Sequence, residues 1–177
     1  MLVLVVGPSG VGKDTLLDGA RAALAGDPRV VFPRREITRP AEAGGEDHIP
    51  IGEAEFAARK GAGRYALAWR AHGLAYGLSV DIDTALLEGR TVVVNVSRQV
   101  LGAARSRYGA LRVVFITADP QILARRLRDR GREAEADIAS RLARAEALEV
   151  AGDDVVEVRN DRTPEEGVAQ LLAAIRG

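Results

Sequence analysis

Gly7, Gly12 and Lys13 stand in the spacing G-x-x-x-x-G-K within GPSGVGKDT, residues 7–15, after the apolar run LVLVV and before a segment of helical period. Glycines there let the backbone approach an anion closely. The N–H groups of residues 9–13 can converge on phosphate oxygens, and the helix that follows presents its positive end to them. The stretch predicts a nucleotide phosphate site made of Gly7, Pro8, Ser9, Gly10, Val11, Gly12 and Lys13, with the hydroxyl of Thr15 close by. Lys13 and Lys60 are the only lysines among 25 basic residues. Where any cation would serve, this chain writes Arg, so a lysine in the loop points to a need for a compact ammonium among phosphate oxygens.

The next letter breaks the pattern. Ser or Thr usually follows the lysine and places a hydroxyl on Mg²⁺, but here the residue is Asp14. Two readings are open. A carboxylate in the first helical turn gains about 0.3–1 kcal/mol from the helix dipole, or it helps to hold Mg²⁺ directly or through water. A bare carboxylate beside a triphosphate is repelled, so a cation between them is the physically sensible arrangement.

The elements that must position this loop are legible as alternating runs. LVLVV (2–6), VVF (30–32), TVVVNV (91–96), RVVFIT (112–117) and DVVEV (154–158) read as strands buried on both faces. Helical periods fall at 13–25, 53–60, 80–89, 98–107, 120–130, 135–150 and 164–175, the last opened by TPEE with Thr163 as N-cap. The alternation predicts an α/β fold with a central parallel sheet of about five strands flanked by helices. Residues 34–52 and 128–137 are polar and glycine-punctuated, which suits binding loops or a lid. The 177 residues make one domain of ordinary size, and 25 basic against 25 acidic residues show no global bias toward nucleic acid or anionic membrane. Zero cysteines exclude a disulfide scaffold and a thiolate metal site. With no apolar run of membrane length, the expectation is a cytoplasmic protein.

Joined to ITRPAEAGGEDH, HGLAYGLS, RRLRDRGRE and IASRLARA, the loop makes the chain resemble the guanylate-kinase-like branch of the P-loop nucleoside monophosphate kinases over essentially its whole length. Within that branch it is most similar to the ribose 1,5-bisphosphate phosphokinases, on GPSGVGKDT, EITR, AGGEDHI, WRAHGLAYGLSVDID and VVVNVSR. The resemblance implies a P-loop kinase fold over 1–177, with core 1–33, 80–127 and 150–177, an acceptor-binding insert 34–79 and an arginine-rich lid 128–149. It implies ATP and Mg²⁺ as partners of the loop and a sugar phosphate as acceptor. The reaction it implies forms 5-phosphoribosyl 1-diphosphate, a step associated with bacterial phosphonate breakdown.

The same resemblance carries roles to individual positions. Arg39 matches an arginine expected on an acceptor phosphate, and Arg35 stands where guanylate kinases have serine. Tyr76 survives from their acceptor site, but a guanine-contacting threonine is replaced by Leu78. A pocket lacking polar partners for guanine rejects it by several kcal/mol, so GMP is a poor acceptor on this reading. The acidic strand end of guanylate kinases is replaced by Asn95 and Ser97. Read jointly with Asp14, that change favours the loop carboxylate as the Mg²⁺ ligand. Arg130, Arg132 and Arg141 are the lid candidates to close on the triphosphate, and Asn160 matches a position near the adenine. His48 is a candidate anion contact or structural hydrogen-bonder, Arg98 a candidate for a ribose phosphate, and Asp47 for ribose hydroxyls or a turn. A phosphate acceptor with a second pKa near 6 needs no general base. Two other readings stay open: a divergent nucleoside monophosphate kinase, and a non-catalytic protein-binding module of the same fold. The sequence leaves monomer and homodimer equally open.

Overall fold

The computed structural model describes residues 1–40, 46–129, 142 and 149–177. Five strands form a parallel sheet in the order β2-β7-β1-β8-β9: β1 (Leu2–Val6), β2 (Val30–Val31), β7 (Thr91–Asn95), β8 (Leu111–Thr117) and β9 (Val155–Arg159). All five predicted apolar runs are therefore strands, but the two at the sheet edges are not buried on both faces: β2 is two half-buried residues, and in β9 only Val158 is buried. Every residue of β1 is buried, the pattern of a strand covered on both faces.

The described residues fall into two compact units, Met1–Leu2 with Asp27–Leu111, and Val3–Gly26 with Arg112–Gly177. In the second unit, β8 pairs in parallel with β9, from Val113 opposite Val155 to Thr117 opposite Arg159. Helix α1 (Lys13–Ala23) and the C-terminal helix α6 (Pro164–Arg176) pack together. A Cβ on Gly19 would lie 2.4 Å from Val168 Cγ2, so α1 seats directly on the Val168 methyls. Thr163 accepts from Glu166 N, Glu166 reaches back to Thr163 N, and Pro164 opens the helix, a complete capping box as TPEE predicts. Helix α5 (Pro120–Asp129) turns Leu123 and Leu127 inward, where Leu142 packs on them.

The first unit holds an element the sequence pattern did not predict. A four-stranded sheet runs β4-β3-β6-β5, from β3 (Glu36–Ile37), β4 (Ile49–Pro50), β5 (Tyr65–Ala71) and β6 (Leu74–Ser79). Strands β5 and β6 make a hairpin with Ala71 opposite Leu74. Its two turn residues, His72 (φ 52) and Gly73 (φ 75), both lie in the left-handed region, which matches the right-handed twist of the strands. His72 is thus a turn residue. Helix α2 (Glu53–Gly61) is tied to this sheet by Arg59, which donates to Glu36, and by Phe56 stacked on Tyr65 with ring centroids 5.0 Å apart. Helix α3 (Ile82–Leu87) is shorter than the predicted 80–89. A 3₁₀ turn at Arg98–Val100 leads into α4 (Leu101–Arg107). The predicted helix 135–150 falls mostly outside the described residues.

Candidate active site

The residues expected to hold the nucleotide phosphates lie in the second unit. The chain leaves β1 at Gly7, where a Cβ would sit 2.4 Å from the Ile116 carbonyl oxygen, so only glycine permits this close passage over β8. Gly12, at φ 94, is the N-cap of α1, a backbone state that favours glycine. Between them the loop folds so that Lys13 Nζ donates to the carbonyl oxygens of Gly7 and Pro8, both at 2.8 Å. The ammonium therefore lies across the loop. Asp14 and Thr15 occupy the first turn of α1 with both residues exposed. Asn160, 5% exposed, follows β9 and donates from Nδ2 to the Val11 carbonyl at 2.8 Å. Arg126 on α5 adds a longer bond to the same oxygen, 3.4 Å. Arg130, Arg132 and Arg141 lie outside the described residues.

The residues expected at the acceptor lie in the first unit, on or beside the unforeseen sheet. Arg35, 8% exposed, enters β3 and donates from Nη1 to the Asn95 carbonyl at 3.0 Å, while its Nη2 pairs with Glu46. Its guanidinium carbon lies over two rings, 5.6 Å from the Trp69 centroid and 5.3 Å from that of Tyr76. Those rings face each other across the hairpin, 5.3 Å apart and within 3° of parallel. A buried guanidinium held this way gains from cation–π contact. Burial raises the Tyr76 phenol above its ordinary value against the opposing pull of Arg35, so at neutral pH it remains an O–H donor.

Arg39 stands two residues beyond β3. Its Nε is buried and meets no partner among the described residues, while its Nη2 lies 3.4 Å from His48 Nδ1. His48 is 8% exposed, and its ring nitrogens lie against the carbonyls of Glu46 (Nδ1, 3.0 Å) and Arg39 (Nε2, 3.1 Å). The ring thus links Arg39 to Glu46. Asp47 is exposed and pairs with Arg34 at 3.5 Å. Arg98 is exposed at the start of the 3₁₀ turn.

Within the first unit the structure thus brings together Arg35, Arg39, His48 and Tyr76, and within the second it brings Asn160 against the loop of residues 7–15. It adds residues that sequence reasoning did not assign. Glu46 and the Asn95 carbonyl hold Arg35, Trp69 underlies it, and Arg126 reaches the phosphate loop. Trp69 carried a signal as the lone tryptophan, and Asn95 as the residue at the altered strand end. Glu46 and Arg126 act through contacts 11 and 115 positions away in the chain.

Such an arrangement can hold a polyphosphate on backbone amides and one ammonium, and a second anion on guanidinium and phenol donors. A family described as an AAA domain matches residues 3–149. The chain is 53% identical to a ribose 1,5-bisphosphate phosphokinase PhnN of Methylobacterium radiotolerans, over 99% of this chain and 97% of that one. It is 44% identical to the protein of that name from Thiobacillus denitrificans, over 90% and 93%. A bifunctional ribose 1,5-bisphosphokinase-thymidine phosphorylase of Roseobacter denitrificans matches at 46% identity over 99% of this chain and 26% of its own length. Among solved structures, guanylate kinase from Anaplasma phagocytophilum superposes with a TM-score of 0.67 at 20% identity, over 99% of this chain and 84% of that one.

Proposed function

The chain belongs to the ribose 1,5-bisphosphate phosphokinase family, and from that premise we propose that it transfers the γ-phosphoryl group of ATP to the 1-phosphate of ribose 1,5-bisphosphate. The products are 5-phosphoribosyl 1-diphosphate and ADP. An oxygen of the 1-phosphate forms the new P–O bond as the bond from the γ-phosphorus to the bridging oxygen of ADP breaks, in line. The acceptor phosphate is already ionised at neutral pH, so no side chain has to remove a proton.

The chain's work is positioning and charge neutralisation. The amides of residues 9–13 cradle the donor phosphates. Lys13 exchanges its bonds to Gly7 and Pro8 for phosphate oxygens. Arg39, whose buried Nε meets no partner among the described residues, offers a donor to an acceptor phosphate, and Arg35 and the Tyr76 hydroxyl orient the second substrate. Arg98 and Asp47, both exposed, are candidates for the ribose phosphate and hydroxyls, and Arg130, Arg132 and Arg141 for the lid. The carboxylate of Asp14 at the head of α1 suits Mg²⁺, which prefers oxygen ligands and keeps waters and substrate phosphates in its shell. Asp14 would hold it, with Thr15 adjacent, and the ion would supply charge neutralisation on the transferred group.

Among the described residues no helix is long and apolar enough to cross a membrane, and we place the reaction in the cytoplasm. The observation that carries the reading is the combination of an intact phosphate loop with a cation-lined acceptor sheet in a chain 53% identical to a phosphokinase over nearly its whole length. The test supplies ATP with ribose 1,5-bisphosphate, GMP, AMP, UMP or CMP and scores ADP release. Turnover with the sugar bisphosphate alone is expected. Preferred turnover of any nucleotide would overturn the substrate assignment, and failure to bind ATP would overturn the kinase reading.

A further inference from the structure

Gly12 presents a physical problem that the phosphate loop must solve. A glycine at φ 94 tolerates many backbone states at little cost, so the peptide joining Val11 to Gly12 is poorly held by its own residues. That peptide is trans, and in a trans unit the C=O and N–H point in opposite senses. One orientation therefore offers the Gly12 N–H to an anion, and the flipped one offers it a carbonyl oxygen. Something outside the loop has to choose.

We propose that Asn160 is a positioning residue for the nucleotide, whose buried amide grips the Val11 carbonyl and so fixes the Gly12 N–H in the orientation that receives phosphate. The bond is 2.8 Å long and buried. Which end of the amide faces the loop is set by chemistry, because the reverse would press Oδ1 against a carbonyl oxygen. Asn160 is itself anchored to the sheet, its backbone N–H donating to the Thr117 carbonyl at 2.8 Å. The next residue, Asp161, accepts from Asp119 N at 2.6 Å. The grip also excludes other residues at position 12, since a Cβ there would lie 2.6 Å from Asn160 Nδ2.

The opposite end of the amide strengthens the assignment. Asn160 Oδ1 is buried and meets no donor among the described residues. It faces Gly167 of α6, where a Cβ would stand 2.9 Å away. A buried unpaired acceptor is unfavourable, so the side chain contributes here through its donor end. Being 5% exposed, Asn160 acts on the nucleotide through the loop.

The inference rests on reading residues 7–13 as the ATP phosphate site, and the experiment separates the two. Asn160→Asp sets a carboxylate against the Val11 carbonyl, yet its protonated form can donate to that oxygen again. At pH 8 the variant is expected to raise the KM for ATP about tenfold or more, with the KM for ribose 1,5-bisphosphate changed less than about twofold. As the pH falls toward 5.5, ATP affinity relative to wild type at the same pH should recover, burial having raised the new carboxyl's pKa. A KM for ATP like that of wild type at pH 8, or a pH profile parallel to it, would overturn the proposal. If the aspartate variant does not fold, Asn160→Ala carries the test by calorimetry. ATP binding weakened about tenfold with unchanged circular dichroism supports the role, and binding of wild-type strength overturns it. Wild-type protein that fails to bind ATP would instead overturn the reading of the loop.

Discussion

At the scale of single residues, Arg35 carries more of the proposed acceptor site than its one-letter change suggests. Its guanidinium is buried, paired with Glu46, bonded to the Asn95 carbonyl and laid over Trp69 and Tyr76. Removing it leaves Glu46, only 22% exposed at its side chain, without its partner, a change that typically costs about 3–5 kcal/mol when the pair is fully buried. Arg35→Ala is therefore expected to lower both the melting temperature and kcat/KM for the sugar bisphosphate. Arg35→Lys should recover part of the stability but less of the activity, because an ammonium lacks the planar fork and the stacking face. Equal recovery of both would show that charge alone matters. Asp14 is tested by its own titration: in Asp14→Ser the Mg²⁺ concentration giving half-maximal rate should rise several-fold if the carboxylate helps hold the ion. An unchanged Mg²⁺ dependence leaves only the dipole role.

At the scale of elements, two junctions can be tested without touching the chemistry. Thr163→Ala breaks the capping box that starts α6 and should cost about 1 kcal/mol, read as a lower denaturation midpoint with kinetics unchanged. The second junction joins α3 and α4, where Asp83 accepts from Arg107 Nη2 at 2.6 Å and from the Tyr108 hydroxyl at 2.7 Å. Burial, then the hydrogen bond to Asp83, pushes the Tyr108 phenol up to about 12. The folded state thus holds this proton more tightly than the unfolded chain, whose tyrosines titrate near ~10. The stability Tyr108 contributes is complete below that value and is lost as pH rises through about 12. Melting temperature should fall more steeply between pH 10 and 12 for wild type than for Tyr108→Phe. Parallel curves would assign the alkaline loss to other groups.

At the scale of the whole molecule, the parallel sheet and the phosphate loop were legible because both are written locally. A buried strand, a glycine turn and a helix start occupy sixteen consecutive residues, Leu2–Leu17, and the remaining strands carry short β-branched runs, broken in β9 by Glu157. The acceptor sheet was not. Two of its strands are two residues long, too short for any period to show, and β5 and β6 were masked by alanine and glycine in a chain rich in both. In hindsight the His-Gly pair between alternating runs was the turn signal. Site residues divide the same way. Lys13 is fixed by its neighbours in sequence, whereas Arg35 depends on Asn95, and Asn160 on Val11, partners that only folding brings near. The chain also threads both compact units more than once, residues 3–26 and 112–177 forming one of them, so no single contiguous segment specifies the donor site.

The close seating of Gly19 on Val168 gives that threading a measurable consequence. Helix α1 begins at the phosphate loop and rests on α6, so whatever steadies the loop also steadies the far end of the chain. In hydrogen–deuterium exchange, ATP should slow the amides of α6 as well as those of residues 7–23, although α6 touches no phosphate. The ligand's footprint in time is then wider than its footprint in space, and replacing Gly19 with alanine should shrink the first while leaving the second where it is.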